Sequence, residues 1–507
     1  MTEKTTVKQD EGGLAARPPI VVVMGHIDHG KTKILDWYRK TKVVESESGG
    51  ITQHIGAYEV KHKDKTITFI DTPGHEAFSK LRGRGAKVAD IAILVVAADE
   101  GVKPQTKEAI EIIRQNNLPF VVALNKVDKP EANPERVKKQ LAEENVLVES
   151  YGGKTPLVEI SAKVGQNMEE LLEMLLLVAE LENLTSHPGA LAEGVVVEAN
   201  LDARRGNTAT LLVRDGTLRK GDVLVVGDRI ETIKIFEDFM ERPIKEAGPS
   251  SPARITGLSE VPAAGEIFRA FSSKGAAEKY IEGLEAEKKS PPPPHAPASG
   301  EEQPTFNLLL KADVAGSAEA LEDALKKIKS EPVKINIIRS GVGDINESDV
   351  KRALATKMVT IIGFKVGVDA SVRALAEQSN VRIITGEVIY ELLDETKKKI
   401  EEMIPPEIRK TILGRAKILK VFKQDGAQQI VGGRVEEGVI KKGVQAEVQR
   451  RKENVGRGSI LQLQQNKQDV DEVQKGTEFG IMIDSSTAIE EGDVLEIFQE
   501  EVIKRGL

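Results

Sequence analysis

The sequence predicts a multidomain protein of α/β and β parts: a parallel-sheet domain, a β-barrel, a smaller α/β domain, a long helix and a C-terminal β-barrel. Three observations carry this. Between residues 19 and 184, five Val- and Ile-rich runs alternate with helical stretches, the pattern of a parallel sheet covered on both faces. From 185 to 273 the helical pattern fades into short apolar runs parted by Asp-Gly and Lys-Gly-Asp turns, and 407–507 reads as all-β. At 507 residues the chain is also too long for one core.

In order, residues 1–18 form a polar, flexible tail. Residues 19–184 hold strands at Pro19–Met24, Ile67–Asp71, Ile91–Ala98, Pro119–Leu124 and Pro156–Ile160, most of them far enough apart for a helical crossover. Residues 185–273 hold strands at Gly194–Ala199, Thr208–Val213 and Val223–Val226. Residues 274–304 are a linker, with a charged helix at Ala276–Lys289 and an extended, flexible stretch at Ser290–Pro304 that contains the run Pro291–Pro294. Residues 305–385 return to α/β patterning, with strands Phe306–Leu310 and Val359–Phe364 and a helix at Ser317–Ser330. Residues 386–406 are a connecting helix, Val388–Met403, stopped by Pro405-Pro406. A weak repeat links Asp215–Asp222 to Glu437–Gly443: two related barrels, or two hairpins sharing one turn chemistry.

Composition narrows the function. There is no cysteine, which excludes disulfides, thiolate metal sites and cysteine nucleophiles and fits a reducing cytoplasm. The N-terminus lacks the apolar run of a signal peptide, and no stretch is long enough to cross a membrane. The net charge is −8, so any RNA partner is met through local patches rather than the whole surface.

The chemistry is concentrated near the start. Gly25-His26-Ile27-Asp28-His29-Gly30-Lys31-Thr32 joins the first strand to a helix at Lys31–Arg39. Such a loop curls its backbone N–H groups around phosphates at a helix N-terminus. Lys31 is suited to the β- and γ-phosphates, and the Thr32 hydroxyl to Mg2+. Asp71-Thr72-Pro73-Gly74 ends a strand at the carboxyl edge of the sheet. Asp71 is expected near Mg2+ through water, and the Gly74 N–H near the γ-phosphate. Asn125-Lys126-Val127-Asp128 follows another strand; the Asp128 carboxylate can accept from guanine N1–H and N2, donors that adenine lacks. Ser161-Ala162-Lys163 completes the base site. Gly49-Gly50-Ile51-Thr52-Gln53-His54 lies where a mobile switch belongs, with Thr52 as a second hydroxyl for Mg2+. The expected cofactors are GTP and Mg2+. His75, directly after Gly74, is the candidate to orient the attacking water.

Taken together, Gly-His-Ile-Asp-His-Gly-Lys-Thr and Asp-Thr-Pro-Gly-His resemble the translational GTPases. Gly50–Tyr58, Asp71–Phe78, Lys311–Leu321 and Gly341–Val350 resemble, more narrowly, bacterial translation initiation factor two. The resemblance runs from about residue 19 to the C-terminus apart from the linker. It implies a ribosome-stimulated GTP hydrolase, monomeric and cytoplasmic, without membrane contact. Its partners would be the ribosome and initiator formylmethionyl-tRNA. The last barrel would hold the aminoacyl end, and Arg450, Glu478 and Phe479 are the residues carried over. Three departures stand out: only about 18 residues precede the nucleotide domain, a Pro-rich stretch replaces a charged helical segment, and the barrel pocket is altered. Gly433 and Phe479 stand where the family has cysteines, and Gln464-Gln465 where it has a Lys-Arg pair. Arg409, Lys410, Arg415, Lys417, Lys420 and Lys423 form a basic stretch, read as an RNA patch or as a solvated strand. Two other readings stay open: an elongation-type factor carrying another aminoacyl-tRNA, and a GTP-switched protein-binding module.

Overall fold

The structure is a computed structural model that describes residues 13–40, 53–287, 305–328, 333–356, 359–404, 407–451 and 453–503. Gly49–Thr52, the Pro-rich stretch and Pro405-Pro406 lie outside the described residues, and with them the expected role of Thr52. The chain forms two compact units, Met1–Lys398 and Lys399–Leu507.

The first unit opens with a six-stranded sheet. In chain order its elements are β1 (Ile20–Gly25), α1 (Lys31–Arg39), β2 (Gly56–His62), β3 (Lys65–Asp71), α2 (Ser79–Val88), β4 (Ile91–Ala97), α3 (Pro104–Gln115), β5 (Phe120–Asn125), α4 (Pro134–Glu143), β6 (Leu157–Glu159) and α5 (Met168–Leu181). The strand order is β2-β3-β1-β4-β5-β6. β1 and β4 are buried at every position because helices cover both faces, which is why they read as unbroken apolar runs. Val21, Ile93 and Val121 pack with Leu171, Leu172 and Leu175 of α5 in one core.

The expected parallel sheet gains one antiparallel strand at its edge, which the sequence reading did not name. β2 pairs antiparallel with β3 at the edge. Its inward Tyr58, Val60 and His62 alternate with the less buried Glu59 and Lys61, so it has no apolar run to betray it.

Residues 193–271 form a seven-stranded antiparallel sheet, ordered Arg229–Thr232, Val223–Val226, Ile267–Phe271, Glu193–Asp202, Gly206–Asp215, Pro252–Thr256 and Ile235–Asp238. The two edge strands are consecutive in the chain, joined by Ile233-Lys234, so the sheet curls fully round. Among the described residues no ladder joins those edges, so the predicted barrel is open along one seam. Ile233 dips into the core at the join. The two Lys-Gly turns share a setting: Leu218–Arg219 pairs with the short strand Glu246–Ala247 and Val439–Lys441 with the short strand Glu472–Gln474, and each lies between glycines of positive φ, Gly216 and Gly221 in one and Gly438 and Gly443 in the other.

After helix α6 (Lys274–Glu287) comes a four-stranded parallel sheet, ordered Lys334–Val342, Thr305–Ala312, Val359–Phe364 and Arg382–Gly386. It carries helices α7 (Ala315–Lys326), α8 (Glu347–Leu354) and α9 (Ala370–Gln378). Sequence reading found the two inner strands and α7. Lys334–Val342 is an edge strand with no fully buried position, so it lacked an apolar run. The motifs Lys311–Leu321 and Gly341–Val350 meet here: buried Lys311 reaches within 3.3 Å of the Asp349 carboxylate, whose residue caps α8 in a reciprocal box with Asn346. Helix α10 (Ile389–Met403) follows, and the division between the two units falls inside it.

The second unit is a closed barrel. Six strands run Glu407–Asp425, Val494–Ile503, Gln445–Arg450, Glu453–Gln465, Glu478–Ser485 and Gln428–Lys441, and the last pairs back with the first. Ile418, Val431, Val448, Ile481 and Leu495 fill its centre.

Candidate functional site

A cavity of about 390 Å3 opens at the carboxyl edge of the parallel sheet, large enough for a nucleotide. It is lined by Ile27, Asp28, Gly30, Lys31, Thr32 and Lys33 from the first loop, Gly74 and His75 after β3, Asn125, Lys126, Asp128 and Lys129 after β5, and Ala162 and Lys163 after β6. Four segments read separately in the sequence therefore converge on one space. Parallel pairing puts all four strand ends on the same edge.

The loop geometry explains its residues. Gly25 has φ 143°, and a Cβ there would run into the Val95 carbonyl. Gly30 caps α1 from the left-handed region, at φ 93°. The Lys31 ammonium is buried and donates to the carbonyls of Gly25 at 3.0 Å and His26 at 2.6 Å. Burial pulls its pKa down to about 8; Arg82 lowers it further, while Asp71 and Asp28 oppose the shift. Gly74 lies directly over that ammonium, because a Cβ at Gly74 would strike Lys31 Nζ. The turn after β3 and the phosphate-loop lysine thus share one end of the cavity. Asp71 is buried beside them, 3.5 Å from the Arg39 guanidinium, and the Thr72 hydroxyl donates to the Val23 carbonyl at 2.7 Å.

The other end is polar and cross-braced between loops. Asn125 bridges two loops: its amide donates to His29 O at 2.9 Å, and its carbonyl accepts from Ala162 N at 3.0 Å. The Ser161 hydroxyl donates to Asp128 Oδ1 at 2.6 Å, and Val127 N donates to Ile160 O. The Asp128 carboxylate is held on the cavity wall with a second oxygen to offer. Lys126, at φ 65°, turns its ammonium onto Glu100 at 3.0 Å.

His75 is nearly fully buried at 2% exposure, yet it lines the cavity. Its Nδ1 shares a hydrogen bond with the Tyr390 hydroxyl at the start of α10. Burial lowers its pKa to about 4, helped by the charges of Arg82 and Lys31, so the imidazole is neutral at pH 7 and able to accept a proton or a hydrogen bond. Three other histidines are engaged away from the cavity mouth: His29 is buried at the Val95 carbonyl, His62 meets Glu169, and His54 meets Asp313 at 2.8 Å.

Sequence reading missed several residues around the site. Gln105 of α3 accepts from Ile27 N at 3.0 Å; Arg82 and Glu108 pin the turn that carries His75; Gln53 donates to Glu387 O at 3.2 Å; and Tyr390 reaches His75 from 315 positions away. Apart from Gln53, which stands in the Gly49–His54 motif, none belongs to a local pattern.

The residues carried over to the last barrel do not all come together. A groove of about 590 Å3 is lined by Phe422, Gly432, Gly433, Gln464, Glu478 and Phe479, among others. Arg450 does not line it. That guanidinium is spent on Asp493 at 2.9 Å and Glu490 at 2.7 Å. Gly433 lies opposite Phe479 in the ladder, and a Cβ on Gly433 would press on the Phe479 ring. Of the basic stretch, Lys410 is paired with Glu447 and Arg415 with Glu496, while Arg409, Lys417 and Lys420 are exposed.

Among the described residues no helix is long and apolar enough to cross a membrane. Comparison with known proteins matches residues 17–180 to the elongation factor Tu GTP binding domain, 191–271 to elongation factor G domain 2, 295–397 to translation-initiation factor 2 and 414–496 to elongation factor Tu domain 4. The translation initiation factor IF-2 of Carboxydothermus hydrogenoformans is 45% identical over 98% of this chain, which spans 61% of that protein. That of Bacillus pumilus is 44% identical over 99% of the chain, which spans 72% of it. The solved structure of GDP-bound aIF5B from Aeropyrum pernix covers 95% of the chain at 29% identity, with a TM-score of 0.47. A nucleotide cavity assembled from these motifs, with this identity along nearly the whole chain, means that the chain belongs to the translation initiation factor IF-2 family of translational GTPases.

Proposed function

We propose that this chain binds GTP with Mg2+, brings initiator formylmethionyl-tRNA to the small ribosomal subunit, promotes subunit joining, and hydrolyses GTP when the ribosome engages it. The observation that carries the reading is the juxtaposition of neutral His75 and the Gly74 turn with Lys31 at one end of the cavity, and Asp128 at the other. Asp128 accepts from guanine and excludes adenine. Lys31 and the loop N–H groups bind the phosphates. His75 orients a water toward the γ-phosphate. The family relatives are translation initiation factors by name, and the groove of the closed barrel is the surface for the aminoacyl end of the tRNA.

The residues fit Mg2+. The Thr32 hydroxyl lines the cavity and the Asp71 carboxylate is buried beside Lys31, an all-oxygen pair of the kind this hard cation takes alongside water and phosphate oxygens. When bound, Mg2+ neutralises charge on the β- and γ-phosphate oxygens. Thr32 and Asp71 would hold it.

The deciding experiment compares binding of formylmethionyl, methionyl and elongator tRNAs in the presence of GTP. Preference for the formylated initiator supports the proposal, and equal affinity for all three overturns it.

A further inference from the structure

Arg82 is the largest side chain that the described residues bury completely, at 1% exposure. It sits on the inner face of α2, where Leu81, Gly85, Ala86 and Val88 are its buried neighbours. An aliphatic side chain would fill that volume without desolvating a charge, and a buried guanidinium persists only where its donors are met. Its two terminal nitrogens are met in a telling way, while Nε has no hydrogen-bond partner among the described residues. Nη1 donates to the carbonyl of Pro73 at 3.1 Å and to the carbonyl of His75. Nη2 donates to both carboxylate oxygens of Glu108 on α3, at 2.6 and 2.7 Å. Glu108 is steadied in turn by the Ser79 hydroxyl at 2.5 Å.

The two carbonyls that Arg82 holds flank Gly74. Their orientation sets the plane of the Gly74 peptide and the direction in which His75 leaves the backbone. Glu108 belongs to a different helix, so the pair ties the turn to the rigid frame of α2 and α3 rather than to itself. Gln105, one turn before Glu108 on α3, holds Ile27 N of the phosphate loop. One helix therefore references both walls of the phosphate end.

We propose that Arg82, braced by Glu108, is a positioning residue for GTP hydrolysis: by holding the Pro73 and His75 carbonyls it aims the Gly74 N–H and the His75 imidazole at the terminal phosphate. This rests on the reading of His75 as the residue that orients water. Lysine is no substitute at Arg82, because a single ammonium cannot span two carbonyls and a bidentate carboxylate.

The test uses the full chain with Arg82→Lys, Arg82→Met, Glu108→Gln and His75→Ala. Affinities for GDP and GTP are measured first, then single-turnover hydrolysis over a range of ribosome concentrations. GDP has no γ-phosphate and reports on the rest of the site. The expected result is GDP affinity within about threefold of the parent, an unchanged ribosome concentration at half-maximal rate, and a maximal rate lowered about tenfold to 10²-fold, since misaiming by an ångström has that effect. Arg82→Lys should fall between the parent and Arg82→Met. Should Arg82→Met not fold, Glu108→Gln keeps the shape and carries the test. An unchanged maximal rate in Glu108→Gln and Arg82→Lys, with His75→Ala inactive, overturns the proposal. So does a GDP affinity that falls as far as the rate, because the pair then only supports the fold. A His75→Ala protein that the ribosome still stimulates overturns the reading of His75, and this proposal with it.

Discussion

The nucleotide cavity and the groove of the C-terminal barrel are both concave, at about 390 and 590 Å3, yet they are built in opposite ways. The cavity is made of backbone: glycines with φ values closed to other residues, loop amides at a helix start, and polar side chains that each hold another loop in place. The groove is made of side-chain shape. Its floor is Gly432 and Gly433, covered by the rings of Phe422 and Phe479. A phosphate or a guanine edge demands fixed donors and acceptors, and these leave fixed residues at fixed spacing. A groove shaped by side chains can be lined by many residue types, and here Lys420, Gln464, Lys467 and Glu478 share it with Phe422 and Phe479.

The comparison predicts where single substitutions act. The largest effect belongs to His75→Ala. Ribosome-stimulated hydrolysis should fall by roughly 10²- to 10⁴-fold, the range for losing a positioned acid–base group. GTP affinity should hold, because the imidazole is not part of the loop that grips phosphate. Single-turnover assays beside equilibrium binding read both quantities; loss of affinity in step with rate would mean that His75 shapes the cavity instead.

Asp128→Asn comes next. Two hydrogen bonds from guanine to a charged acceptor are lost and an amide donor faces the guanine N–H groups, so GTP affinity should weaken by about 10²- to 10³-fold. Binding of formylmethionyl-tRNA by the nucleotide-free protein should be untouched. An equal effect on both ligands would erase the contrast between the two regions.

A smaller effect is expected at Phe422, which is 63% exposed at the rim of the groove. An aromatic so exposed adds little to the fold, so Phe422→Ala should leave thermal stability within a degree or two while weakening formylmethionyl-tRNA binding by up to about tenfold. Nucleotide binding is the internal control. If tRNA affinity is unaffected, the groove is a by-product of the Gly432-Gly433 floor.

What could be read from the sequence follows the same division. The central strands were legible because burial on both faces forces unbroken Val and Ile runs, as in Ile91–Ala97. The edge strands Gly56–His62 and Lys334–Val342 were not, since half-exposed positions dilute the pattern. The phosphate and base motifs were legible because geometry dictates residue type. Arg82, Glu108, Gln105 and Tyr390 were not, because helix packing brings them to the site across long separations. Arg82 did leave one trace: a charged residue in the stripe Phe78, Leu81, Arg82, Gly85, where every other member faces the core. Arg450 shows the converse. The resemblance carried it over, but its side chain is committed to Asp493 and Glu490.

The smallest effect is one of pH, and it tests whether the cavity keeps its interior character while working. Burial, with Arg82 and Lys31 nearby, lowers the His75 pKa from 6.5 to about 4. The folded protein therefore holds a neutral imidazole through a window in which an unfolded chain is already protonated. Stability from this group is complete above pH 6.5 and declines as pH falls toward 4, because only the unfolded state takes up the proton there. Hydrolysis follows the same group with a different outcome. Ribosome-stimulated single-turnover rates should stay level from pH 7 to about pH 5, where a solvent-exposed imidazole would already be mostly charged. A rate that instead halves near pH 6.5, and loses that dependence in His75→Ala, would mean that the ribosome draws His75 away from Tyr390 into water before the chemistry begins.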